Sequence, residues 1–278
     1  MSQNKASITV MHDRRTEKER VRKLTLAAML TAVVVVLALL GTAIKFSTFN
    51  INLALVPIVI GAAMLGVWYG AWFGFVNAVV ILLSGDAAPF LTVNAFGTIV
   101  TVLAKGVLAG LAAGAVYQFL QRFNKYAAVL AAALVCPVVN TGVFLIGCVI
   151  FFWQTIGEWA AGSGAESTFS FAILVLVGTN FLIEVALNIV LAPAIARILG
   201  FSEDKNVSML IYGVVLALLG LGFTIFGMVL LHRAWTGETP EGVANPGVRY
   251  LVMTAFANLV LVGGSVLAAI GAVRKKLL

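Results

Sequence analysis

Charged and amide side chains interrupt otherwise apolar stretches of the sequence, and they are the first candidates for chemistry. Lys105 and Glu184 each lie within a long run that is otherwise uncharged. Asn180, Glu184 and Asn188 follow i, i+4, i+8 spacing, which places them on one helix face. Placing a charged side chain inside a membrane span costs free energy, so its presence there indicates a functional site. With Asn140 from a neighbouring run, the pattern predicts a polar ligand pocket inside a helix bundle. The alternative is a structural Lys–Glu pair, with asparagines bonding between helices.

The sequence carries no catalytic or metal-binding motif. No GxxxxGK[ST] occurs, so the chain has no P-loop ATPase of its own, and HExxH and GxSxG are also absent. Cys136 and Cys148 fall in one apolar run, which favours small packing residues over a disulfide or a metal site. His12 and His232 have no partner at metal-ligand spacing. We therefore expect no enzymatic activity, metal or cofactor.

Composition places these residues in a membrane. The chain is 62% hydrophobic and 10% charged, with a mean hydropathy of +1.07, whereas soluble domains carry about 25% charged residues. A membrane helix needs about 20 residues. The fold class predicted is an all-α membrane protein with eight spans, at 24–44, 50–65, 67–83, 94–119, 127–152, 170–198, 207–231 and 250–273. The break between the second and third spans is placed at Gly66–Gly70, which has the Gly and aromatic residues of an interfacial turn.

The polar residues share a depth in this arrangement. At 1.5 Å per residue, Lys105 lies about 16 Å from the outer end of its span, and Asn180 and Glu184 about 15 and 21 Å from theirs. Asn140 lies about 18 Å from the outer end of the fifth span. We expect these four side chains to meet near the middle of the bilayer.

The basic residues orient the spans. With the N-terminus inside, the cytoplasmic segments are 1–23, 120–126, 197–206 and 274–278. They hold 14 of the 18 basic residues, namely Lys5, Arg14, Arg15, Lys18, Arg20, Arg22, Lys23, Arg122, Lys125, Arg197, Lys205, Arg274, Lys275 and Lys276. The positive-inside rule then places both termini in the cytoplasm. The net charge of +7 is an orientation signal rather than a nucleic-acid one.

Small residues recur at four-residue spacing in two spans. Ala28 and Ala32 stand four apart in the first span, and Gly66, Gly70 and Gly74 continue through the start of the third. Such strips let another helix backbone approach closely. They indicate either ordinary packing within the bundle or a docking face for a separate membrane subunit.

An ordered set of motifs over about the first 200 residues resembles the S component of an energy-coupling factor (ECF) transporter, in the branch that contains riboflavin, folate and pantothenate S components. The motifs are Ala28 with Ala32, Ile51–Leu53 leading to Pro57–Ala62, the glycine ladder formed by Gly66, Gly70 and Gly74, Ser84–Asp86, Asn94–Thr98, Cys136–Gly142, and Asn180 with Glu184 and Asn188. The resemblance implies a vitamin-binding, non-enzymatic subunit of the bacterial cytoplasmic membrane. It adds Asn52, Asp86 and Asn94 to the expected substrate-binding residues Lys105, Asn140, Asn180, Glu184 and Asn188.

The resemblance also implies partners and domains. Such subunits join a membrane T component and two cytoplasmic ATPases, and the expected docking residues are Ala28, Ala32, Gly66, Gly70 and Gly74. The expected division is a basic tail at 1–23, a six-helix substrate-binding core at 24–200, and an additional two-helix hairpin at 201–278. S components usually stop near their sixth span, so the last two spans depart from the pattern.

The main rival function is a self-sufficient secondary transporter or channel for a small polar solute. That class often shows inverted repeats and paired helices broken by Gly or Pro. No repeat relates the two halves of this chain. Uptake by the protein alone, without ATP, would favour this rival.

The predicted topology can be checked by labelling single cysteines from outside the cell. Ser163→Cys and Thr239→Cys should react with a membrane-impermeant maleimide, because both are expected in outer loops. Lys125→Cys should be protected until the membrane is permeabilised. The opposite pattern would overturn the assigned orientation.

Overall fold

In the computed structural model the described residues are 2–43, 52–163, 165 and 167–198, with isolated positions at 258, 262, 265, 266 and 270. Within these residues the regular elements are helical and no strand occurs. The all-α membrane class is therefore confirmed. The predicted seventh and eighth spans lie outside the described residues apart from the isolated positions. The eight-span count, the hairpin at 201–278 and the cytoplasmic termini stay predictions.

The described chain forms nine α-helices and one π-helical segment. They are α1 (Ser2–Ala43), α2 (Leu55–Leu65), α3 (Val67–Leu83), α4 (Ala88–Leu91), α5 (Ala95–Leu120), α6 (Lys125–Phe151), α7 (Trp153–Gly162), α8 (Thr168–Ser170), the π-helix Phe171–Gly178 and α9 (Thr179–Ile198). Four stretches are long and apolar enough to cross a membrane, namely Glu17–Gly41, Ala95–Leu120, Lys125–Phe151 and Thr168–Arg197. α2 and α3 are shorter apolar helices.

Local chemistry sets the ends of these helices. Asn94 and Asn124 have extended backbones, and their side chains accept the N–H groups of Gly97 and Ala127, each at 2.9 Å. This is the N-cap role that asparagine favours. Gly66 separates α2 from α3 with φ of 110°, a conformation that L side chains rarely adopt. The predicted break at 66–70 is thus a turn at Gly66 alone, and α3 begins at Val67.

Two helices begin elsewhere than the predicted limits. α1 begins at Ser2 and passes through the basic segment 1–23, which contains no Gly or Pro to stop a helix; the division into a cytoplasmic tail and a core stays a prediction. The second span begins at Leu55 rather than at residue 50. Here the Asn52 side chain accepts the Ala54 N–H at 3.3 Å, a local turn that competes with the helix. With 11 residues, α2 rises only about 16 Å, roughly half the hydrocarbon core.

α5 is the centre of the described bundle. It packs most extensively against α6 and α3, while α9 packs against α6 and α2, and α1 packs against α3 and α2. The largest apolar cluster joins residues of α1, α2, α3, α5, α6 and α9. A second cluster joins Phe90 of α4 to the C-terminal end of α6, α7 and the π-helix.

Glycines form the contact between α3 and α5. A Cβ on Gly70 would overlap the carbonyl oxygen of Gly110, and one on Gly74 would overlap that of Gly106. The reciprocal overlaps occur at Gly106 and Gly110. Gly70 and Gly74 are consequently buried within the chain. Because α5 fills the open faces of these two glycines, packing within the bundle, one of the two alternatives for the four-residue spacing, accounts for them.

The glycine contact predicts an unequal response to two identical substitutions. Gly110→Ala should lower the free energy of unfolding by about 1–3 kcal/mol, the usual effect of overpacking. The matched control is Gly142→Ala in α6, where a Cβ would meet nothing within 4 Å. It should be neutral or stabilising by up to about 1 kcal/mol, since alanine is the better helix former. Unfolding in detergent, followed by far-UV circular dichroism, measures both, and equal effects would contradict this packing.

Candidate functional site

A cavity of about 120 Å³ lies between the two apolar clusters. Its walls come from α1, α3, α4, α5, α6, the π-helix, α9, the segments that precede α2 and α4, and Phe152 between α6 and α7. Six of the eight residues expected to bind substrate line it. They are Asn52, Asp86, Lys105, Asn140, Asn180 and Glu184.

α9 presents its polar residues on one buried face, as their spacing predicts. Asn180, Glu184 and Asn188 are 8%, 7% and 1% exposed. The π-helix Phe171–Gly178 ends just before this face. A π-helical insertion changes the register of the residues that follow and is frequent at functional sites.

The Glu184 carboxylate is held by the chain segment that opens α2. The backbone N–H of Asn52 donates to Glu184 Oε1 at 3.0 Å. Because α2 begins at Leu55, the carboxylate lies near the N-terminus of this helix, where the helix dipole favours negative charge. The segment before α2 thus supplies a donor, and the start of α2 supplies a favourable field.

Lys105 has a different neighbour. Its Nζ lies 5.2 Å from the centroid of the Phe144 ring, a cation–π distance. Within the described part of the chain no ion pair joins Lys105 to Glu184, although both line the same cavity. The structural Lys–Glu pair therefore does not form in this state of the protein.

Four buried polar atoms on the cavity wall have no hydrogen-bond partner among the described residues. They are Asn52 Nδ2, Thr101 Oγ1, Asn140 Oδ1 and Asn180 Oδ1. Each unsatisfied group costs roughly 1–3 kcal/mol, and native proteins contain few of them. Their convergence on one cavity is the arrangement expected where a polar molecule completes the hydrogen bonds.

Aromatic rings form the rest of the wall. Phe90 meets Phe144, Phe152 and Trp159 edge to face, with centroids 5.6, 5.0 and 5.5 Å apart. Phe90, Phe144 and Phe152 line the cavity. A mostly apolar cavity with a few convergent polar groups is the usual form of a small-molecule site.

Residues 22–196 match the protein family described as the substrate-specific component of ECF transporters. The match covers more than half of the chain. The protein belongs to this family. It is an S component, the substrate-specific subunit of an ECF transporter and a multi-pass membrane protein. S components work with T and ATPase modules. No match was found among curated proteins or among solved structures.

Two expected substrate-binding residues of the S component do not line the cavity. Asn94 caps α5 through the Gly97 N–H. Asn188 lies one turn beyond Glu184, and its Nδ2 donates to the Glu184 backbone oxygen at 2.9 Å. Both have structural contacts of their own, and neither is retained as a proposed ligand contact.

Other cavity residues were missed in the sequence. Thr101 lies four residues before Lys105 on α5, so the same i, i+4 spacing that links the α9 residues would have found it. Phe90 and Phe152 carried no such signal, because phenylalanine is common throughout the chain.

Among the described residues no cluster of His, Cys, Asp or Glu could hold a metal. Cys136 and Cys148 are free and buried in apolar clusters, as predicted.

The amide oxygens without hydrogen-bond partners predict that a substitution can weaken solute binding without lowering the stability of the protein. Asn180→Leu should leave the ligand-free protein as stable as wild type or more so, because a buried group without a partner is replaced by an apolar one. It should weaken solute binding about fivefold or more through the lost hydrogen bond. Melting in detergent and titration with the solute that co-purifies, identified by mass spectrometry, measure the two effects.

Asn77→Leu is the matched control. Asn77 is fully buried on α3 and its side-chain nitrogen and oxygen also lack partners among the described residues, but it does not line the cavity. This variant should match Asn180→Leu in stability and keep wild-type affinity. Loss of stability in Asn180→Leu with unchanged affinity would assign Asn180 a structural role.

Proposed function

We propose that the cavity captures a vitamin or similar micronutrient from outside the cell, and that an ATPase-driven module completes its import across a bacterial cytoplasmic membrane. The observation that carries this proposal is the set of four unpartnered polar atoms on one cavity wall. Lys105, Glu184 and Asp86 add charge to the same wall. Family membership supports a substrate-binding role for the S component.

The aromatic wall supports the chemical character of the proposed solute. Phe90, Phe144 and Phe152 offer flat apolar surface in the cavity that the amide-bearing residues also line. A solute with an apolar body and a polar edge would satisfy both sides. A simple inorganic ion would leave the aromatic side without a partner, and a purely apolar molecule would leave the amides unsatisfied.

Docking of the T component is proposed at α1. Ala28 and Ala32 are exposed, whereas Ala27 and Val34 on the neighbouring face are buried in the core. Beside the exposed strip, Trp72 Nε1 donates to Thr31 Oγ1 at 3.2 Å and ties α3 to α1. The strip of Ala28 and Ala32 therefore lies on a surface that this hydrogen bond helps to fix, and another helix can approach it closely. Gly66 is also exposed, but its positive φ already accounts for the glycine.

Reconstitution tests the proposed function directly. Liposomes that contain the S component, a T component and both ATPases should accumulate the co-purifying solute only when ATP is supplied. The S component alone should bind the solute without accumulating it. Accumulation by the S component alone would establish the rival, a secondary transporter.

The α1 surface predicts a variant that binds but does not transport. Ala32→Trp should keep wild-type solute affinity while reducing ATP-dependent uptake at least tenfold, because an indole ring prevents close helix approach. The matched control is Ala115→Trp, an exposed alanine on α5 away from this surface. It should retain uptake. Parallel loss of binding and uptake in Ala32→Trp would instead mean that the strip packs inside the protein.

A further inference from the structure

The charges on the cavity wall restrict the solute that can occupy it. Lys105 and Glu184 have opposite sign and line one cavity, yet each is held by a different neighbour. No ion pair joins the two residues in the described part of the chain, although opposite charges attract strongly in a medium of low dielectric. Both therefore remain available to a solute in the cavity.

A solute with one net charge would pair with only one of these two residues. An anion would pair with Lys105 but place a second negative charge beside Glu184, and a cation would do the reverse beside Lys105. Uncompensated charge is expensive in a buried site. A solute with a negative and a positive end satisfies both residues and keeps the sum of charges unchanged.

The remaining groups agree with such a solute. The amide oxygens of Asn140 and Asn180 have no partner among the described residues, and Asn180 lies one turn before Glu184. They can accept N–H groups from the positive end. Asp86 also lines the cavity but already takes part in another interaction. It is therefore not assigned to the solute.

We infer that the solute is zwitterionic, with an oxyanion that pairs with Lys105 and a protonated amine that meets Glu184, Asn140 and Asn180. The apolar part between them lies against Phe144 and Phe90. This inference rests on the proposed function, since it names the chemical class that the same cavity binds. A neutral heterocycle or a simple monoanion is excluded by it.

Three probes of nearly equal shape test the inference. They are 4-(aminomethyl)benzoate, which is a zwitterion, 4-methylbenzoate, which lacks the amine, and 4-methylbenzylamine, which lacks the carboxylate. Calorimetric titration of the purified S component, freed of co-purifying solute, should show the zwitterion binding at least tenfold more tightly than either half. Equal or tighter binding of one half would overturn the inference, and so would failure of all three probes to bind.

Two variants test which cavity residue pairs with each charged end of the solute. In Lys105→Met the zwitterion should lose its advantage over 4-methylbenzylamine, and in Glu184→Gln its advantage over 4-methylbenzoate. Lys125→Met, which removes a lysine at the far end of α6, should keep both advantages. A zwitterion advantage that survives in both cavity variants would overturn the assignment. If a cavity variant does not fold, the relative affinities of the three probes for the wild-type protein still test the inference.

Failure of this inference can be distinguished from failure of the proposed import function. ATP-dependent uptake of a co-purified solute that proves not to be zwitterionic would leave the function standing and remove this inference. Binding of the zwitterion without ATP-dependent uptake in the complete complex would keep the inference and remove the import role.

Discussion

The hydrogen bond from the Asn52 backbone to the Glu184 carboxylate is the contact on which the site depends. It joins residues 132 positions apart and brings the start of α2 against the polar face of α9. Inside a bilayer no water is present to satisfy either group. The bond is possible because α2 begins at Leu55 and packs against α9. The cavity is the space that this arrangement leaves beside α5 and α6.

The same bond explains why the two charges of the bundle remain apart. Glu184 receives an N–H donor and the favourable end of a helix dipole, so it does not need Lys105 as a partner. Lys105 lies over the Phe144 ring instead. A tightly bonded Lys–Glu pair would be hard for a solute to break, whereas separately held charges remain available to it.

The glycine contact of α3 with α5 determines which surface is left for partners. Close approach at Gly74 and Gly106 lets the two helices act as one rigid layer, against which α6 packs from the other side. A binding site on rigid elements keeps its geometry better than one on loops. The consequence for assembly is that the glycine ladder serves folding, and the exposed strip at Ala28 and Ala32 carries the docking proposal.

Much of this protein follows from sequence alone, because a bilayer allows few solutions. Uncharged runs, helix length and polar spacing predict the helical class, most helix limits in the core, and the shared face of Asn180 and Glu184. They also predict a polar cavity that contains Lys105 and Asn140. Spacing along one helix cannot show what lies opposite, so it predicts ligand or partner contacts for Asn94, Asn188, Gly70 and Gly74, whereas the structure shows contacts within the chain for each of them. Only the tertiary structure decided that Gly70 meets Gly110, that Asn52 holds Glu184 and that Phe90 completes the wall. These are contacts between residues distant in the chain, and they depend on how the helices are placed against one another.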